Sequence, residues 1–196
     1  MRKIFVILLL LGALFGADEI KEAYYKSYDY EKMGAYDEAI KVLMPLYAKY
    51  PNGYTLNLRL GWLFYKMGRY ANAIEHYRRA SMALPASLEP KLGMALVYLS
   101  MGRYKDAERM AATVIHSDYY NYYGNLYLAK AYLGEGRSKE AAAVARKMLT
   151  FYPTDVRFLE LLAKAYEAID PDLAKKVYGD ILILDPNNVA ARGYLR

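Results

Sequence analysis

The residues best able to trade protons or hold a metal are scarce in this chain. His76 and His116 are its only histidines, and there is no cysteine. A metal centre or a Ser/His/Asp set needs several ligating or acid–base groups converging on one point, and the spacing of these two imidazoles does not provide one. Carboxylate pairs stand at Asp37 with Glu38 and at Asp170 with Asp172, but each lies in or beside a turn, where acids commonly cap helices. The glycines do not form the G-x-G-x-x-G cluster that cradles phosphate after a strand. The expectation is therefore no enzyme, no metal and no cofactor.

What remains is recognition chemistry. The chain holds 23 tyrosines and a single tryptophan, and "HSDYYNYYGNLY", His116 to Tyr127, packs five tyrosines into twelve residues. Such a run reads as a binding surface, as an exposed strand or as ordinary packing, depending on the elements that carry it.

Length and composition bound those elements. The 196 residues are 56% hydrophobic and 24% charged, which is globular and enough for a substantial core. Arg2 and Lys3 precede the apolar run Ile4 to Phe15, then Gly16, Ala17 and the acidic pair Asp18 and Glu19. This is the pattern of a secretory signal peptide over residues 1–17, with an uncleaved amino-terminal anchor as the alternative. At about 18 Å as a helix, the run falls short of the roughly 30 Å hydrocarbon core of a bilayer. Export to the periplasm follows as the expectation, with a secreted or wall-associated protein as the alternative. Without Arg2 and Lys3 the formal charge drops from +6 to +4 (25 basic minus 21 acidic), too little for a nucleic-acid binder.

The elements themselves repeat. "MGRY" occurs at Met67 to Tyr70 and again at Met101 to Tyr104, and the same 34-residue step links Gly34, Gly68, Gly102 and Gly136. Five residues after each glycine stands an alanine: Ala39, Ala73, Ala107 and Ala141. Seventeen residues after the same glycines stand Pro51, Pro85 and Pro153, with Tyr119 in the remaining slot. Two series in one register mark a repeat array. Its units run over about 20–53, 54–87, 88–121, 122–155 and 156–188, the last one residue short in the "AIDPDLA" turn, followed by a cap at 189–196. Each unit reads as two helices, the first ended by the glycine and the second stopped by the proline. Pro45 falls inside the second helix of the first unit, where a kink near Lys41 to Pro45 is expected.

In the second unit Leu60, Gly61, Phe64, Ala73, Tyr77 and Pro85 match the pattern W-x2-L-G-x2-Y, A-x3-F, P, with Asn57 in place of the tryptophan. The chain thus resembles a tetratricopeptide-repeat protein over about Ile20 to Asn188. The resemblance implies an all-α fold: a right-handed α-solenoid of about five helix-turn-helix repeats plus a short capping helix, with a concave groove lined by the first helix of each pair.

With the units counted from Ile20, Tyr54, Leu88, Tyr122 and Val156, positions 4, 7, 8 and 11 cluster on the packing face at 100° per residue. Positions 2, 5, 6, 9, 12 and 13 lie opposite. The groove set expected from them is Tyr24, Tyr25, Tyr28, Arg59, Trp62, Tyr65, Lys66, Leu96, Tyr123, Tyr127, Lys130 and Lys164. Leu58, Leu92, Leu126 and Leu133 either join that set or pack on the neighbouring first helix. Arg69, Arg103 and Arg137 follow the repeat glycines and form a second ladder, suited to an anionic surface or else simply solvated.

The functional expectation is a non-catalytic interaction module or scaffold of the cell envelope. It would hold a peptide, helix or protein partner in its aromatic groove, with no nucleic acid and no membrane contact beyond an uncleaved amino-terminal segment. Glycan binding through aromatic stacking and self-association are the alternatives.

Overall fold

The structure is a computed structural model that describes the backbone from Arg2 to Arg196 and side chains from Gly16 onward. The apolar stretch Ile4 to Phe15, on which the signal-peptide expectation rests, lies outside the described side chains. Among the described residues no helix is long and apolar enough to cross a membrane.

Every regular element among the described residues is a helix: α1 (Arg2–Lys32), α2 (Tyr36–Lys41), α3 (Met44–Lys49), α4 (Tyr54–Lys66), α5 (Tyr70–Ala83), α6 (Glu89–Ser100), α7 (Tyr104–Ser117), α8 (Tyr122–Gly134), α9 (Ser138–Leu149), α10 (Val156–Tyr166), α11 (Pro171–Leu184) and α12 (Val189–Tyr194). This is the all-α solenoid class expected from the repeat. The chain divides into two compact units, Met1–Pro90 and Lys91–Arg196.

The repeat glycines make the turns within the pairs. Gly34, Gly68, Gly102 and Gly136 have φ between 68° and 74°, the left-handed region that a Cβ disfavours. Around Gly68 the Arg69 N–H reaches the Phe64 carbonyl and the Gly68 N–H the Tyr65 carbonyl, each at 2.9 Å. That is a Schellman cap, which satisfies the orphan carbonyls at the helix end, and it recurs at the other three glycines. The turn between α10 and α11 has no such glycine. Asp170 instead accepts the Leu173 N–H at 3.1 Å and Pro171 opens the next helix, so an amino-terminal cap and a preset φ replace the carboxy-terminal one.

In the first unit α1 packs on α2, α2 on α4, and α4 on α5. Gly61 allows α4 and α5 a close approach: a Cβ there would stand 2.8 Å from the Tyr77 ring. Ala73, Tyr77 and Phe64 are buried around it. Pro45 does more than kink its helix. The backbone breaks between Lys41 and Met44, and Pro45 sits in the first turn of α3, where its missing N–H leaves no helical bond unmade.

The second unit is centred on Phe158, with Met148, Val114 and Ile181 also fully enclosed. At its end α12 lies on α11, with Ala191 buried and the Tyr194 ring 4.7 Å from that of Tyr178.

Candidate functional site

A cleft of about 570 Å³ lies in the first unit between α1, α4 and the start of α6. From α1 come Tyr24, Tyr28 and Glu31, at steps of four and three; from α4 come Thr55, Leu58, Arg59 and Trp62, again at steps of three and four. Such spacing stacks side chains on one helix face. Tyr54 and Glu89 complete the wall.

A hydrogen-bonded set fixes its floor. The Arg59 guanidinium, 5% exposed, donates from Nη1 to Glu31 Oε2, from Nε to Ser27 Oγ at 3.1 Å and from Nη2 to the Ser27 carbonyl at 2.9 Å. Its carbon lies 3.9 Å from the Tyr28 ring centre. Trp62 Nε1 donates to the other Glu31 oxygen at 2.5 Å. Burial would raise the Glu31 carboxyl, but the hydrogen bonds from Trp62 and Arg59, with the charges of Arg59 and Lys66, outweigh it and hold that carboxyl below the usual range. Arg59, expected among the groove residues, does line the cleft, with its donors and its charge engaged inside the fold as a buried brace. On the rim Tyr24 donates to Thr55 Oγ1 at 3.2 Å, while the Tyr54 hydroxyl lies 2.5 Å from a Glu89 oxygen and 2.7 Å from Ser87 Oγ.

The remaining groove candidates are dispersed. Tyr25 is 67% exposed and lies outside the cleft lining. Tyr65 packs 5.6 Å from Trp62, and the Lys66 ammonium stands 5.6 Å from the Trp62 ring centre and 5.8 Å from that of Tyr36. Leu96, Tyr123, Tyr127, Lys130 and Lys164 belong to the second unit. There the Tyr123 and Tyr127 rings are 6.0 Å apart, Lys130 is exposed and Lys164 pairs with Glu167 at 2.8 Å. Leu126 is buried against Phe158 and its neighbours, which decides its case for packing.

The arginine ladder is also engaged. Arg69 pairs with Asp37 at 3.5 Å, Arg103 with Asp106 at 2.6 Å, and Arg137 with Glu108, Glu135 and Glu140 at 2.9 to 3.4 Å. Arg103 and Arg137 further cover the rings of Tyr98 and Tyr132. Each of the three arginines is therefore paired with carboxylates of the fold, which an anionic surface would have to compete with.

Both histidines lie away from any reactive arrangement. His76 is buried, stacked on Phe64 and hydrogen-bonded to Asn57, while His116 is exposed. Among the described residues no group of three or more His, Cys, Asp or Glu side chains could hold a metal.

Tyr54, Thr55 and Glu89 were missing from the groove set. Thr55 and Glu89 occupy position 2 of their units, on the face that the helical geometry assigns to the groove, so the signal was present in the register. Tyr54 opens its unit as Tyr122 opens another, and each hydroxyl reaches an acid at the next unit boundary: Glu89 for Tyr54 and Asp155, at 2.7 Å, for Tyr122.

Comparison with known proteins agrees with this architecture. Three sequence profiles described as tetratricopeptide repeat match residues 26–86, 64–126 and 124–165. A tetratricopeptide repeat protein from Parabacteroides merdae superposes with a TM-score of 0.80 at 18% identity, covering 91% of this chain and 71% of that one. MamA, residue 41 to the end, from Desulfovibrio magneticus gives 0.77 at 17% identity, covering 88% and 98%. A thermophilic tetratricopeptide-repeat protein in Thermus thermophilus gives 0.68 at 16%, covering 89% and 96%. At these identities the likeness is one of fold. No curated protein matches the chain.

Proposed function

We propose, on the premise that the chain belongs to the tetratricopeptide-repeat family, that it is a non-catalytic interaction scaffold of the cell envelope that docks a segment of a protein partner in the cleft around Trp62. Its family supports the general role, since tetratricopeptide repeats are protein-interaction modules. The observation that carries the specific reading is the cleft itself. Four aromatic rings and Leu58 line a space of about 570 Å³ whose polar floor is already internally bonded. A docking surface of this kind offers rigid aromatic area at little entropic cost. An envelope location rests on the signal-like pattern of residues 1–17.

The test is co-purification from an envelope extract with wild type and with Trp62→Ala combined with Tyr28→Ala, after circular dichroism has shown both to be folded. Loss of one or more partners from the variant supports the reading. An identical partner set for the two proteins overturns it.

A further inference from the structure

Resting on that reading of the cleft, we infer that it selects its partner segment through a cationic side chain, a lysine or arginine, laid across the rings beside Glu89.

The charges around the cleft supply the first reason. Its wall holds two carboxylates, Glu31 and Glu89, and one guanidinium, Arg59. Arg59 and Glu31 neutralise one another within the floor, which leaves Glu89 as the excess charge. Glu89 is exposed and accepts the Tyr54 hydroxyl, and no ion pair to it occurs among the described residues. The residues that line the cleft thus carry one positive charge against two negative, in a chain whose formal charge is +6.

Ring chemistry supplies the second. Aromatic faces attract cations within about 6 Å of the centroid, and the chain's own cations already use rings of this cleft in that way: Arg59 at 3.9 Å over Tyr28 and Lys66 at 5.6 Å over Trp62. Lys66 itself does not line the cleft.

The competing occupants fit less well. An acidic segment would set its carboxylate against Glu89. A purely apolar one would cover Leu58 and the rings but desolvate Glu89 with only the Tyr54 hydroxyl and no counter-charge beside it, an unfavourable outcome for a buried charge. A lysine or arginine satisfies both halves, with its methylenes on Leu58 and the rings and its head at Glu89.

Trp62 is the only tryptophan, so its emission reports the cleft directly. The probes are three acetylated Ala/Leu nonapeptides with lysine, norleucine or glutamate at the centre, titrated into the full chain. The lysine peptide is expected to give a saturable change in emission and to bind at least fivefold more tightly than the norleucine peptide, with the glutamate peptide weakest. Glu89→Gln, an exposed change that leaves the floor intact, is expected to abolish the lysine advantage, and added salt to reduce it. Equal binding of the lysine and norleucine peptides overturns the cation selectivity but leaves the cleft a docking site. Tighter glutamate binding, an undiminished lysine advantage in Glu89→Gln, or no saturable response to lysine also overturns it. The co-purification experiment decides the docking reading separately.

Discussion

His76 and Asn57 share a buried hydrogen bond of 2.9 Å whose direction is fixed by its surroundings. Both Asn57 amide protons are used, since Nδ2 lies 2.9 Å from the Pro51 carbonyl and 2.9 Å from the Gly53 carbonyl. Its Oδ1 must therefore accept, and His76 Nδ1 carries the proton. The pair ties α5 to the turn before α4, which gives this histidine a structural task.

That task makes stability depend on pH. Burial, with the nearby Arg79 charge, holds the His76 imidazole below its ordinary value against the opposing pull of Glu75. The unfolded chain takes up a proton as pH falls through about 6.5, while the folded chain resists. The contribution is complete above that pH and is lost as pH falls below it. Thermal melts from about pH 8 to about pH 5 are expected to show a smaller decline in Tm for His76→Gln than for wild type. Parallel declines would remove His76 as the cause.

Asn125 stands 68 residues after Asn57 and makes the same clamp, from Nδ2 to the Tyr119 carbonyl at 3.0 Å and to the Asn121 carbonyl at 2.8 Å. The residue 68 after His76 is Val144, which offers no donor, and Asn125 Oδ1 is buried without a partner. Asn57→Ala would strand the His76 donor, whereas Asn125→Ala removes an acceptor that is already unpaired. The expected losses are about 2 to 3 kcal/mol for Asn57→Ala and about 1 kcal/mol for Asn125→Ala, read from chemical denaturation. A reversed order would contradict this account of the clamp.

Arg59 and Arg69 test the difference between a buried and an exposed ion pair. Arg59 is 5% exposed and its loss leaves Glu31 against the cleft floor without its cation, while Arg69 and Asp37 are each more than half exposed. Arg59→Ala is expected to cost about 3 kcal/mol and Arg69→Ala less than about 1 kcal/mol. Comparable denaturation midpoints for the two variants would show that Arg59 is no brace.

Much of this was legible in the sequence because the repeat declares itself twice. The glycine series fixed the turns and the proline series the unit ends, so the helical pairs follow from the 34-residue step. Pro45 announced an irregularity in that helix, expected as a kink and found as a break between α2 and α3. The site was less legible, because helical geometry assigns a face but not a hydrogen-bond partner. Arg59 lies at a groove position, yet Ser27 and Glu31, 32 and 28 residues earlier, draw its guanidinium inward. The arginines after the glycines take partners both within their own turn or helix, Asp106 for Arg103 and Glu135 and Glu140 for Arg137, and from earlier helices, Asp37 for Arg69 and Glu108 for Arg137. The run "HSDYYNYYGNLY" divides as a helix boundary requires. Tyr119 and Tyr120 are exposed in the turn, the Tyr120 ring 4.5 Å from that of Phe151, and Tyr122 packs 5.2 Å from Phe158.

Gly61 and Gly134 set the distance of a clash against the freedom to relieve it. A Cβ on Gly134 would meet the Tyr104 ring at 2.3 Å, closer than the 2.8 Å between a Cβ on Gly61 and Tyr77. Distance alone would make Gly134→Ala the worse change. Tyr77, however, is 4% exposed and enclosed between α4 and α5, whereas Gly134 is exposed and Tyr104 only half-buried. The Tyr104 ring can swing toward solvent, but the Tyr77 ring can move only by displacing the core. Gly61→Ala is therefore expected to cost about 2 to 3 kcal/mol as overpacking. Gly134→Ala is expected to cost less than about 1 kcal/mol, because alanine's better helix propensity offsets the small ring movement. Denaturation midpoints order the two variants, and a larger loss for Gly134→Ala would mean that Tyr104 is held as firmly as Tyr77.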